Sequence, residues 1–327
     1  MKSFVENIDK SLGCYIGKAI YRYYKGKSLD RIPVDGLAKM YFKLQTFDSS
    51  INTAVLRRGS EEIRKPIFIV GAPRSGTTFL GDCFSCMPSV AYFFEPVYTK
   101  AVSYDCKSSP MWESYAKTEF KETYSKMFDI WLRENLHDDK KNIRICEKTP
   151  SHVFLIESLM KWFPGAQVIH IIRDGVDMAA SHVKKGWLSE THGSSLSYEI
   201  GGYRNGPIPQ FWVESERHAE FRETSDLHRS IWAWRTHVEA GLESSKNLDS
   251  NQYMELRYED LLTDHITWGR KILDYLELES SKDRESFIKA LNNGNTHSIG
   301  KGYKNLMGKD KELIRYEAGY LLDRLGY

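Results

Sequence analysis

The chain has no apolar run near the ~20 residues that a membrane-spanning helix needs, so no transmembrane segment is expected. Met1-Lys2-Ser3-Phe4-Val5-Glu6-Asn7 lacks the apolar stretch of a secretory signal. No Asn-x-Ser/Thr sequon occurs. The cysteines are five, an odd number without framework spacing, which argues against a disulfide scaffold and for a reducing, cytoplasmic setting. Charge of either sign is scarcely in excess: 46 basic against 44 acidic residues leave +2, too little for a dedicated nucleic-acid binder. Basic groups are therefore expected to act locally. Repeats, low-complexity tracts and zinc-like His/Cys/Asp spacings are also missing.

One further absence is the most telling. Pro66-Ile67-Phe68-Ile69-Val70-Gly71-Ala72-Pro73-Arg74-Ser75-Gly76-Thr77-Thr78-Phe79-Leu80 reads as a strand, a glycine-bounded loop and a helix start. Loop N–H groups and a helix N-terminus together make an anion site. The spacing Gly71 to Gly76 matches the nucleoside-triphosphate loop, but Thr77 stands where that loop has its lysine. The cation is inside the loop instead, at Arg74. Such a loop suits a 5′-phosphate carrying a second charged group better than the β- and γ-phosphates of ATP.

Five short apolar runs read as buried parallel strands: Ile67–Val70, Val90–Phe94, Ile143–Cys146, Gln167–Ile172 and Tyr253–Arg257. Helical patterns at Thr77–Met87, Trp112–Leu136, Ser151–Phe163, Val176–Lys185 and Leu227–Ser245 separate them. The alternation predicts a three-layer α/β fold, with a central parallel sheet of about five strands and helices on both faces. Ligands of such sheets bind at the carboxyl ends of the strands. Arg74, Glu95, Lys148 and Arg173 fall there. Residues 1–60 read as a basic, tyrosine-rich helical arm packed on the core, and 61–327 as a single domain. Within it, about 187–226 is long, aromatic and without a clean period, so it is expected to be an ordered lid.

The fourth strand leads into Ile172-Arg173-Asp174-Gly175-Val176-Asp177-Met178-Ala179-Ala180-Ser181-His182-Val183-Lys184-Lys185. Ser181 and Lys185 stand four apart on one helix face. An arginine fork, a hydroxyl and a lysine there would hold a second phosphate. By itself, Arg-Asp-Gly at a strand end is equally a structural ion pair.

In that order, Pro73-Arg74-Ser75-Gly76-Thr77-Thr78 and Arg173-Asp174-Gly175…Ser181 resemble the two nucleotide signatures of sulfotransferases, from Pro66 to about Leu262. The resemblance implies the P-loop nucleotide-kinase-like fold. It also implies 3′-phosphoadenosine 5′-phosphosulfate as sulfonyl donor, adenosine 3′,5′-bisphosphate as product, and no metal. The loop residues Arg74, Ser75, Gly76, Thr77 and Thr78 would take the 5′-phosphosulfate, and Arg173 with Ser181 the 3′-phosphate. The loop is most similar to that of the tyrosylprotein branch. Aligned on Arg74, that branch places its catalytic glutamate on Glu95 and its active-site lysine on Lys148. A further basic group falls on Lys185 and a late tyrosine on Tyr258. Its C-terminal nucleotide loop is matched loosely by Ser298-Ile299-Gly300-Lys301-Gly302-Tyr303-Lys304. The missing signal, sequon and paired cysteines separate the chain from secreted members and point to a small-molecule acceptor.

On this reading Glu95 is the general base, and partial desolvation is expected to raise its pKa. Arg74 and Lys148 would neutralise charge on the transferred group. The acceptor pocket is expected to draw on Phe94 and Tyr98 beside Glu95, on His152, and on Trp187, Tyr203, Phe211, Trp212 and His218 of the lid. Two alternatives stay open: a kinase- or NTPase-like phosphotransferase, and a catalytically silent nucleotide-binding protein of the same fold. Cys83-x-x-Cys86 is read as a buried i,i+3 core face rather than a redox pair, and His170 as a core histidine.

Overall fold

A computed structural model describes residues 63–96, 99–100, 102–103, 107, 113–134, 143–189 and 205–327. The N-terminal arm, Tyr98 and Tyr203 lie outside the described residues.

Five parallel strands form one sheet in the order β2-β3-β1-β4-β5. They are β1 (Ile67–Gly71), β2 (Val90–Phe94), β3 (Arg144–Lys148), β4 (Gln167–Ile172) and β5 (Tyr253–Arg257). Three match the expected limits and β1 gains one residue. The third strand is displaced: Lys148 pairs in register with Ile69 of β1 and Phe94 of β2, so β3 ends two residues later than its apolar run. Two charged residues at a strand end hid that extension.

Crossover helices cover both faces. They are α1 (Thr77–Phe84), α2 (Glu113–Glu134), α3 (Ile156–Trp162), α4 (Gly175–Val183), α5 (His218–Glu223) and α6 (Asp226–Ser245). The helix expected over Ser151–Phe163 is split. Pro150 starts a 3-10 turn to Leu155, and α3 follows. After β5 come α7 (Tyr258–Thr263), α8 (His265–Tyr275), α9 (Ser281–Leu291) and α10 (Gly308–Leu325).

The period-2 geometry of β1 sorts its side chains between two cores. Phe68 and Val70 meet Phe120, Tyr124 and Phe128 of α2 and Trp162 of α3. Ile67 and Ile69 meet Leu80 and Phe84 of α1 together with Ile272 and Phe287. A third cluster joins Ile172 and Val176 to Ile231, Trp234 and Val238 of α6 and Ile314 and Leu321 of α10. Burial on both faces explains why β1 and β4 read as continuous apolar runs rather than alternating ones, whereas the edge strand β5, expected to be buried, is mostly half-buried with Glu255 exposed. His170 is buried in β4 with Nδ1 2.5 Å from the Tyr253 hydroxyl, a core histidine as expected. The Cys83/Cys86 expectation holds by half. Cys83 is buried, but Cys86 is exposed just past the helix end. No helix among the described residues is long and apolar enough to cross a membrane.

Candidate active site

The sheet order sends β1 outward to β3 and β2 on one side and to β4 and β5 on the other. The crevice at the carboxyl end of β1 is where the strand order reverses, the usual ligand position in such sheets. The loop 71–76 lies there. Arg74 and Gly76 both have left-handed backbone, with φ of 69° and 96°. Gly76 is required twice over, since a Cβ would also stand 2.2 Å from the Tyr258 ring. Helix α1 has no side-chain cap and no acidic residue in its first turn. By contrast α4, α6, α8 and α9 each begin on a capping Asp or Ser side chain. The first turn of α1, uncapped like those of α3, α5 and α7, is set apart by Thr77 and Thr78 lining a cavity, the position an anion site needs.

Glu95 leaves β2 with φ of 38°, a strained value for a non-glycine residue. Its N–H donates to the Lys148 carbonyl at 2.9 Å, which holds the two strand exits together. The carboxylate is bracketed by cations. Lys148 Nζ donates to Oε1 at 2.5 Å, and Lys100 Nζ to Oε2 at 3.1 Å. Lys148 is fully buried, and its Nζ also reaches Thr78 Oγ1 at 3.1 Å. The same ammonium therefore touches both the base candidate and the phosphate loop. The Phe94 ring lies 3.9 Å from that Nζ, and half of Phe94 is open to solvent.

These contacts correct one expectation. Burial does push the Glu95 carboxyl up, but Lys100 and Lys148 outweigh it and hold the pKa below the ordinary glutamate value. Sequence reasoning saw the desolvation and missed Lys100, which reaches back from five residues beyond the strand exit. Burial lowers the Lys148 pKa, opposed by Glu95. Burial also lowers Arg74, and the nearby Arg173 adds to the effect. Lys100 and Lys148 thus pair with the Glu95 carboxylate, and Arg74 lines the same cavity.

The two segments expected to hold phosphates meet in space. Arg74 Nε lies 3.3 Å from Ser181 Oγ on α4, and Arg173 Nη1 donates to the Arg74 carbonyl at 3.2 Å. Arg173 is also held by Ser298, whose carbonyl accepts from Nη2 at 2.9 Å. Its Nε is buried and has no partner. Tyr258 stacks against this guanidinium at 4.9 Å and contacts Ser298 Oγ at 3.3 Å. Two guanidiniums so close, one with an orphaned N–H, fit an anionic group between or beside them. Asp174, the first carboxylate after β4, is committed elsewhere. Oδ1 caps α4 through the Asp177 N–H, and Oδ2 accepts from the Tyr303 hydroxyl. Lys185 lies two residues beyond the end of α4, not on the helix as expected, and it, Lys301 and Lys304 are all exposed.

A cavity of about 270 Å³ adjoins the loop. It is lined by Arg74, Thr77, Thr78, Glu95 and Lys100, and walled by Pro73, Pro150, Ser151, Trp187 and His237. Of the expected acceptor residues, Trp187 is in this wall. His152 is not. It is fully buried under Phe120, with Nδ1 3.0 Å from the buried Glu147 carboxylate, because the 3-10 turn directs it into the core. Phe211 packs on Phe154, and Trp212 on Phe221 and His237, so both support the wall from behind. His218 starts α5 and reaches the Val213 carbonyl at 3.3 Å. The described part of the expected lid is therefore packed on α6 through Trp212, Val213, Phe221 and Trp232.

His237 was missed because it occurs mid-helix on a buried face. Its Nδ1 is 2.6 Å from the Ala233 carbonyl, which can only accept, so the nitrogen left for the cavity is Nε2. Burial pushes its pKa down to about 4, which makes that nitrogen a hydrogen-bond acceptor at neutral pH.

A model of the sulfotransferase family matches residues 66–283. An uncharacterized protein of Aquifex aeolicus (strain VF5) is 30% identical over 140 residues, which span 40% of this chain but only 18% of that one. The sulfotransferase domain from the Synechococcus PCC 7002 olefin synthase is 14% identical, with a TM-score of 0.45, over 78% of this chain and 96% of that one. Sulfotransferase STF9 from Mycobacterium avium is 15% identical, with a TM-score of 0.46, over 83% and 80%.

Proposed function

The chain belongs to the sulfotransferase family, and on that premise we propose that it transfers the sulfonyl group of 3′-phosphoadenosine 5′-phosphosulfate to a hydroxyl or amine of a small acceptor. One observation carries this reading. Glu95 and Lys148 touch each other and, through Thr78, the loop built for a 5′-phosphate, all beside one cavity. The fit to the donor rests on the uncapped first turn of α1 beside the cavity, the unpartnered Nε of Arg173 and Arg74 in the cavity lining. Thr77, Thr78 and the loop N–H groups would hold the 5′-phosphate, and Arg173 with Ser181 the 3′-phosphate.

When bound, the donor supplies an electrophilic sulfur and a leaving oxygen on which charge grows as the S–O bond breaks. Glu95 takes the acceptor's proton as its oxygen or nitrogen attacks in line. Arg74 and Lys148 stabilise the developing negative charge. Lys148 has a second duty. In the structure it is shared between Glu95 and the loop, so an anion in the loop draws on the same ammonium. Its hold on Glu95 then weakens and the carboxylate becomes a better base. The cavity lies near the lower end of ligand-site sizes, which favours a small acceptor seated between Trp187 and His237.

The pH dependence follows from the bracketing lysines. A depressed carboxylate stays ionised, and so able to accept a proton, down through its folded pKa. The acid limb of kcat/KM, which reports the free enzyme, is therefore expected below the ordinary glutamate value of 4.5. Lys100→Met removes one of the two cations and should move that limb upward. A pH–rate profile of the variant checks this, and an unmoved limb would show that Lys100 does not face the working base.

The activity itself is tested by incubating the protein in EDTA with donor labelled on sulfur and a panel of phenols, alcohols and amines. Label is expected on at least one acceptor. Transfer of the γ-phosphate of ATP instead, with no label moved, would select the phosphotransferase alternative.

A further inference from the structure

We propose that Asp177 is a positioning residue for recognition of the 3′-phosphate: it fastens the 298–303 segment over the first turn of α4 without itself touching the ligand. The inference rests on the nucleotide reading above. Asp177 is buried on α4, four residues after Arg173. Both of its oxygens are used by backbone N–H groups from more than a hundred residues away. Gly300 N–H donates to Oδ2 at 2.6 Å, and Gly302 N–H to Oδ1 at 2.6 Å. A carboxylate accepting two such bonds makes charge-assisted contacts, stronger than neutral ones.

The approach is as close as the backbones allow. A Cβ on Gly302 would stand 2.5 Å from the Val176 carbonyl oxygen and 2.8 Å from the Asp177 nitrogen. Tyr303 adds a second fastening through Asp174. The near end of the same segment then reaches the phosphate arginine. The Ser298 carbonyl takes Nη2 of Arg173, and the Ser298 hydroxyl meets Tyr258 under the guanidinium. The orientation of Arg173, with Nε unspent, thus depends on where Asp177 pins the segment.

A bare carboxylate beside a phosphate subsite is electrostatically costly, and an ion pair with Arg173 is a poor reason for it. The nearest Arg173–Asp177 approach is 3.9 Å, against 2.6 Å for each glycine. The fastening of the segment accounts for the residue, and it also explains why a glycine must stand at 302.

The test compares adenosine 3′,5′-bisphosphate with 5′-AMP, which lacks only the 3′-phosphate, by calorimetric titration in EDTA. Asp177→Asn keeps the shape but offers one acceptor oxygen where two are needed. Gly302→Ala leaves every charge in place and lifts the segment off α4. In both, affinity for the bisphosphate is expected to fall at least tenfold while affinity for 5′-AMP changes less than threefold. A bisphosphate-to-AMP affinity ratio unchanged in Gly302→Ala overturns the proposal, even if Asp177→Asn fails to fold. Equal loss for both ligands overturns it too, since that marks a general packing role. Wild-type protein that binds the bisphosphate no better than 5′-AMP would instead overturn the nucleotide reading.

Discussion

Glu95→Gln is expected to leave the fold and nucleotide affinity intact and to lower turnover by about 10²–10⁴, the usual cost of losing a general base. The amide keeps the length and hydrogen-bonding reach of the side chain and removes only its ability to take a proton. Lys148 and Lys100 would still find an oxygen acceptor, though one contact at 2.5 Å and one at 3.1 Å would have to share it. The variant should also lose the acid limb of the wild-type rate. Because paired lysines depress the wild-type pKa, protonation of Glu95 also removes native-state stabilisation. That contribution is present above the unfolded-state pKa and is lost as pH falls through the folded one, so the wild type should destabilise more steeply in acid than Glu95→Gln. Turnover with an aliphatic alcohol is the strictest readout, since a poorly acidic hydroxyl needs the base most. Near-normal turnover there would remove Glu95 from the mechanism, and His237 would become the next group to test.

Arg173→Ala should act almost entirely on affinity. The guanidinium is bonded to the carbonyls of Arg74 and Ser298 and stacked on Tyr258, so it braces the crevice as well as offering Nε to an anion. Removing a charge-assisted contact from a partly buried site costs on the order of 2–4 kcal/mol. That is a rise in dissociation constant of about 30- to 1000-fold. Saturating the variant with donor should recover much of the turnover, because Arg173 bonds away from Glu95 and Lys148. Calorimetric titration together with steady-state kinetics separates the two effects. Unchanged affinity with lowered turnover would move Arg173 from binding to chemistry.

The sheet was legible because buried strands leave apolar runs, and β2 and β4 begin and end where those runs do. The third strand was misplaced because Glu147 and Lys148 carry charge into a strand end. The conformation of the loop 71–76 was legible because glycine spacing and backbone geometry are coupled: Gly76 must be left-handed and must clear Tyr258. The supporting groups were not. Lys100 and His237 reach the cavity from a strand exit and a mid-helix face, and no local pattern marks either one. Asp174 and Asp177 read as turn and first-turn residues, yet their carboxylates are bonded to a segment more than a hundred residues later. His152 was misread for a related reason. A 3-10 turn in place of an α-helical one rotates it from the crevice into the core beside Glu147. Sequence spacing reports what local geometry dictates. It does not report which side chains the chain's return will meet.

On the proposed function, this crevice binds a nucleotide carrying a 5′-phosphosulfate and a 3′-phosphate, held by protein cations alone. Titrating the wild-type protein in EDTA with adenosine 3′,5′-bisphosphate tests it most directly. Metal-independent binding is expected, with ligand at 100 times its dissociation constant stabilising the fold by about 2.7 kcal/mol. No binding of the bisphosphate in EDTA, together with tight binding of ATP in magnesium, would contradict it.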